Sequence, residues 1–163
     1  MSEQESPGRE RLHTYLNDHL AGSVAAIELL DFVIEHHSGD RFAKTFRHWR
    51  DEIQADQATL RNLIQKLGAE ESAIRKAGAW VVEKFSRIKV GDVDDSAGLL
   101  QALEALALGI TGKRLLWRSL GAIAPNFAAL QGMDLSELEK RAQDQFERVE
   151  TLRLEMAREA FRT

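Results

Sequence analysis

The sequence predicts an all-α protein, a four-helix bundle of two antiparallel hairpins with an additional crossover helix between them. Three observations predict it. Apolar residues recur at three- and four-residue steps through several long segments. The two prolines, Pro7 and Pro125, leave the run between them open to almost continuous helix. No alternating strand pattern rises above noise.

Ser6-Pro7 reads as an N-cap followed by an N1 proline. The first helix then carries Leu12, Leu16, Ser23, Ile27, Leu30 and Ile34 on one stripe. Gly39 and Asp40 stop it and cap the next helix. The second helix has the cleanest pattern: Phe42, Phe46, Trp49, Ile53, Asp56, Leu60, Leu63 and Leu67, closed by Gly68. Asp56 is the one charged member. "EESAIRKAGAWVVEKFSRI" follows as the crossover helix, with Ile74, Val81, Phe85 and Ile88 on one side. At roughly 1.5 Å per residue, such a segment returns the chain along the bundle.

Asp95 or Ser96 caps the next helix, whose stripe is Leu100, Leu103, Ala107, Ile110, Arg114 and Trp117. Pro125-Asn126 ends it. Asp134 and Glu137 form a capping box for the last helix, with Leu135, Leu138, Ala142, Gln145, Val149, Leu152 and Met156 facing inward. Short turns make the first two helices, and the last two, antiparallel. The chain reads as one domain over 1–163, with residues 1–6 as a disordered tail.

Composition narrows the function classes. The chain is 44% hydrophobic, enough for a core of its own. A net charge of −4 gives no general attraction to nucleic acid or anionic membrane. The absence of cysteine removes thiolate metal sites and thiol nucleophiles and suits a reducing cytoplasm. "MSEQESPGRERL" lacks the basic-then-apolar pattern of a signal peptide. A cytoplasmic protein without nucleic-acid or membrane partners is expected. "RKAGAWVVEKFSRIK" interleaves basic and aromatic residues, but Glu83 dilutes it and the helix must also pack.

Helix order and a few segments resemble the ferritin-like superfamily. "YLNDHLAGSVAAIELL" resembles the opening helix, where an Asn is followed six residues on by a metal-binding Glu; here that position is Ser23. The second helix of such proteins carries Glu-x-x-His before a closing Gly, and the matching positions are Glu52 and Ala55. Glu104 is offered on the third bundle helix and Gln143, Glu147 and Glu150 on the fourth, none within Glu-x-x-His. The single Glu-x-x-His, Glu10 to His13, lies near the start of the first helix. "LNDHLAG", "WVVEK" and "GKRLLWR" are similar to an uncharacterised bacterial ferritin-like protein family. The resemblance implies a fold and no established activity. A di-iron centre of this type needs a Glu from each of two helices and Glu-x-x-His from each of the other two. A serine and an alanine break that set.

A polar core layer takes its place in the expectation. A turn at Ser38-Gly39 puts His19 level with Ala58, half a turn from Asp56, so His19 is expected to donate to that carboxylate. The crossover brings Lys113 or Arg114, with Gln145, to the same level, and Ser23 lies beside it. A buried carboxylate needs such partners. Glu52 belongs to the candidate set, with His48 and Asp56 one turn to either side. His36-His37 at a helix end suits the helix dipole, and opportunistic metal binding there is unspecific. Glu28, Asp31 and Glu35, near Asp18 and Asn17, read as a solvated face. Trp49, Trp80 and Trp117 read as packing. Gly98, Gly109, Gly112 and Gly121 crowd one helix, for close packing or to leave room for a bound molecule.

No nucleophile motif, phosphate loop or zinc-spaced cluster occurs. The leading expectation is therefore a non-enzymatic bundle, without a cofactor, that acts by binding or by assembly as a homodimer. The alternative is a divergent metalloprotein or oxidoreductase holding iron or manganese on His19, Glu52, Asp56 and Glu104. A small-molecule binder using the glycine-lined helix is the third reading.

Overall fold

A computed structural model describes residues 6–68 and 93–163. The crossover helix, Trp80, Glu83 and the first five residues of the expected tail lie outside the described residues. Those described form four long helices and no strand: α1 (Pro7–His36), α2 (Ala43–Lys66), α3 (Ser96–Ile123) and α4 (Leu135–Ala160). Two short 3-10 turns, Ala124–Asn126 and Ala128–Leu130, connect α3 to α4.

Local chemistry explains the helix ends. Ser6 Oγ accepts from Arg9 N at 3.4 Å, and Pro7 opens α1. Asp95 accepts from Gly98 N at 2.7 Å to start α3, and Asp134 from Glu137 N at 3.0 Å to start α4. Gly68 ends α2 with φ +82°, a left-handed conformation that glycine takes without a Cβ clash. Gly39 has no such conformation. Asp40 holds the first connection instead, its Oδ1 accepting from Phe42 N at 2.8 Å.

The α1–α2 connection therefore runs through residues 37–42, longer than a turn at Ser38-Gly39. Cross-helix bonds record the consequence. Ser23 meets Gln57, and both guanidinium edges of Arg50 meet Asp31. The two helices run in opposite directions, but shifted by about one turn, ~5 Å, from the expected register. Between α3 and α4, Arg114 meets Gln143 and Glu104 meets Arg153, again with opposed residue order.

Burial follows the expected stripe closely in α2 and α4, where charged residues hold the outer face. In α1 the core also takes Leu20, Ala21, Leu29 and Val33, while Ile27 and Ile34 are half-buried. In α3 it takes Leu99, Ala102, Leu106, Leu116 and Leu120 beyond the single stripe.

The apolar core is divided. One half gathers Leu30, Phe46, Trp49, Leu103 and Met156 toward the α1–α2 connection. The other gathers Leu16, Leu63, Trp117, Leu120 and Ala142 toward the opposite end. On each helix a polar residue stands between the halves: Ser23, Asp56, Lys113 and Gln145. This waist contains the site.

Candidate functional site: the polar waist and its cavity

Asp56 is 3% exposed, so its carboxylate must be answered by protein groups. The stripe of α2 turns it inward between Ile53 and Leu60. Lys113 Nζ donates to Oδ2 at 2.6 Å and Gln145 Nε2 donates to the same oxygen at 3.1 Å. Lys113 also donates to Gln145 Oε1, closing a triangle across α2, α3 and α4. Arg141 NH2 stands 3.0 Å from Oδ1 as an ion pair, without the alignment of a hydrogen bond. Burial lowers the pKa of Lys113, opposed by the charge and hydrogen bond of Asp56.

His19 does not join this triangle. The longer α1–α2 connection moves it away from the level of Asp56, and the described residues show no hydrogen bond between them. Its ring packs edge-on against Tyr15, with centroids 4.7 Å apart. Burial lowers its pKa against the opposing pull of Asp18, which leaves a neutral ring at pH 7. Ser23 is engaged locally and across the hairpin: Oγ donates to Leu20 O at 2.6 Å and accepts from Gln57 Nε2 at 3.0 Å.

Arg114 turns to Gln143 rather than to Asp56. Its helix position differs from that of Lys113 by one residue, about 100° of rotation, and that rotation decides which cation enters the waist. Glu52 accepts two bonds from Arg148 NH2, at 2.8 and 2.9 Å, and has His48 at 3.7 Å. Glu104 pairs with Arg153 at 3.3 Å on the surface. The alternative metal set is thus not brought together: His19, Glu52, Asp56 and Glu104 each have different neighbours. Among the described residues no three His, Asp or Glu side chains group as metal ligands do. The Glu-x-x-His of α1 is likewise scattered: Glu10 is exposed, and His13 Nε2 bonds Leu67 O at 3.0 Å.

A cavity of about 180 Å³ lies beside the waist, between α1, α2 and α3. His19, Ser23, Asp56, Lys113 and Trp117 contribute to its wall, and apolar side chains such as Ile53, Leu60 and Ile110 supply much of the rest. Gly22 on α1 and Gly109 on α3, both exposed, mark its mouth, and Gly112 lines it further in. A Cβ built at Gly22, Gly109, Gly112 or Gly121 meets nothing within 4 Å among the described residues. Close packing against the described helices therefore does not explain these glycines, each of which costs a helix interior ~1 kcal/mol against alanine.

Sequence reasoning missed two residues. Trp117 is 1% exposed, as a packing residue would be, yet its indole Nε1 finds no acceptor among the described residues. Asn17 Oδ1 and Arg114 Nε are also without partners but do not line the cavity. His37 is buried and ties three segments together. Its Nδ1 faces Asp40 Oδ2, and its Nε2 faces Val93 O at 2.9 Å. A histidine beside a glycine at a helix end signals a terminus; nothing local signals the carbonyl of Val93.

No family model, curated protein or solved structure matches the chain. The likeness to ferritin-like proteins therefore rests on helix order and the segments quoted above. No described helix is long and apolar enough to cross a membrane.

Proposed function

We propose that the protein is a non-enzymatic, ferritin-like helical bundle that acts by binding or assembly, with a polar core layer where such bundles hold metal. The observation that carries this reading is Lys113 Nζ at 2.6 Å from the buried carboxylate of Asp56. The ammonium supplies the positive charge that a metal would bring, and Gln145 completes the shell. Helix directions support the ferritin-like part. Arg41–Glu155 and Glu52–Arg148 oppose α4 to α2, so α3, which opposes α4, runs with α2. Two antiparallel hairpins, α1 with α2 and α3 with α4, with α2 and α3 parallel, satisfy these directions.

Metal analysis of protein purified without chelator tests the reading. No stoichiometric metal is expected. Stoichiometric iron or manganese, lost on Asp56→Ala and His19→Ala, would overturn it. For assembly, the outer side of α3 offers Leu108 and Leu115, 74% and 50% exposed and one heptad apart. Sedimentation of a Leu108→Lys, Leu115→Lys variant against the parent shows whether self-association uses that face.

A further inference from the structure

The described core leaves two leucines of α3 uncovered. Leu108 and Leu115 are 74% and 50% exposed. Exposed leucines are ordinary when scattered. These two belong to a longer seam, in which Ala105, Leu108, Gly112, Leu115, Ser119 and Ala122 follow at alternating steps of three and four. At about 100° per residue, the six stay on a strip roughly 100° wide, the spacing that lets two helices pack knobs into holes. Ala105, Gly112 and Ser119 are small and alternate with the leucines, and a Cβ built at Gly112 meets nothing within 4 Å among the described residues.

The rim of the strip points to its occupant. Glu104 and Arg118 lie along one edge, with Thr111 midway between them. Within the chain both are loosely held. Glu104 is 3.3 Å from Arg153, which already gives two bonds to Glu150, and Arg118 is 3.9 Å from Glu139. A two-fold axis crossing the strip near residues 110 and 111 sets a second α3 antiparallel and keeps each edge on its own side. Leu108 then lies over the partner's Gly112, and Leu115 over the partner's Ala105. Glu104 comes level with the partner's Leu116, about 3 Å along the axis from the partner's Arg118. The symmetry repeats every contact. A parallel pairing sets leucine on leucine and glycine on glycine, and turns Glu104 toward the partner's uncharged Gly109.

We infer that the outer face of α3 forms a symmetric homodimer, in which two copies pair antiparallel, leucines over small residues, with Glu104 and Arg118 joined twice along the rim. The inference rests on the assembly part of the function proposed above and names the partner, a second copy of this chain. A contact of one helix per copy falls below ~1,200 Å² in total, so the dimer is reversible, with a dissociation constant on the order of 10 μM.

Sedimentation velocity of the full-length protein from roughly 1 to 500 μM, at low salt, is the test. The parent should pass from monomer to dimer over that range. Glu104→Arg and Arg118→Glu should each weaken self-association about tenfold, because each puts two like-charged pairs along the rim. Mixed in equal amounts, the two variants should associate at least as tightly as the parent, since each supplies the charge that the other lacks. Both substitutions in one chain should likewise restore the dimer. Neither rescue follows if the variants only disturb Arg153 or Glu139 within their own chain, because those neighbours stay mismatched. Leu108→Lys with Leu115→Lys should remain monomeric throughout. All four positions are exposed, so the fold should survive. Circular dichroism checks each variant, and for a misfolded one the others carry the test.

The dimer is overturned if the parent stays monomeric to the top of the range, or if it dimerises and the charge variants are not weakened. Folded, weakened variants that fail to pair on mixing overturn it too. A dimer that persists with both leucines replaced uses another face, which defeats the inference and leaves assembly standing. Stoichiometric metal defeats the metal-free reading instead, and leaves the sedimentation results interpretable.

Discussion

Two buried polar clusters lie in one bundle and are built differently. At the α1–α2 end, both nitrogens of His37 face oxygen atoms, and Phe42 and Phe46 close edge-on around its ring. Both polar atoms of that ring are used. At the waist the charges of Asp56 and Lys113 are answered, and a cavity lined in part by Gly22, Gly109 and Gly112 lies beside them. The contrast separates two uses of buried polarity. One fastens segments together; the other adjoins a cavity in an otherwise close-packed core.

Lys113→Ala should give the largest effect. It leaves the Asp56 carboxylate with Gln145 and an off-axis Arg141, and should lower stability by about 3 kcal/mol in urea unfolding. Lys113→Met with Asp56→Leu should recover much of that loss, since an apolar pair leaves no unanswered charge. His37→Ala should cost about 2 kcal/mol by the same measurement, because the Val93 carbonyl and Asp40 lose their shared partner. A loss at His37 much larger than at Lys113 would reverse the ranking of the two clusters.

Gly112→Ala should act in the opposite direction, raising stability by about 0.5–1 kcal/mol, because its Cβ enters open space on a helix. A loss would mean the cavity wall is tighter than described. The smallest effect concerns pH. The folded-state pKa of His19 is lowered from 6.5, so between the two values the unfolded chain binds more protons. Stability contributed by the neutral ring is complete above pH 6.5 and declines as pH falls through that window. His19→Phe should flatten this limb of a stability–pH curve. Asp40, whose pKa is lowered from 3.8, acts in a separate, more acidic range. Burial pushes its carboxyl up, but the bonds from His37 and the Phe42 amide outweigh that. Its contribution disappears only as pH drops through the lowered value.

The fold was most legible where one helical face is apolar and the other charged. In α2 and α4 the expected stripes match the buried residues, and Asp56 and Gln145 stood out as polar members. In α3 the apolar residues nearly surround the helix, so a single stripe named only part of what is buried. Register was not legible. The Asp40 bond to the Phe42 amide extends the first connection, and a shift of one turn separated His19 from the aspartate it was expected to meet. Lys113 and Arg114 could not be told apart from sequence, because each carries a long cationic side chain and only the phase of α3 distinguishes them. The glycines suggested either tight packing or space, and only atomic neighbours chose between the two. The orphaned indole was beyond reach, since a tryptophan on a stripe looks the same with its N–H paired or unpaired.

The position of the cavity mouth has one more consequence. It opens on the flank of the bundle, at Gly109, next to the outward-facing Leu108. A second surface docking over that leucine would shutter the doorway.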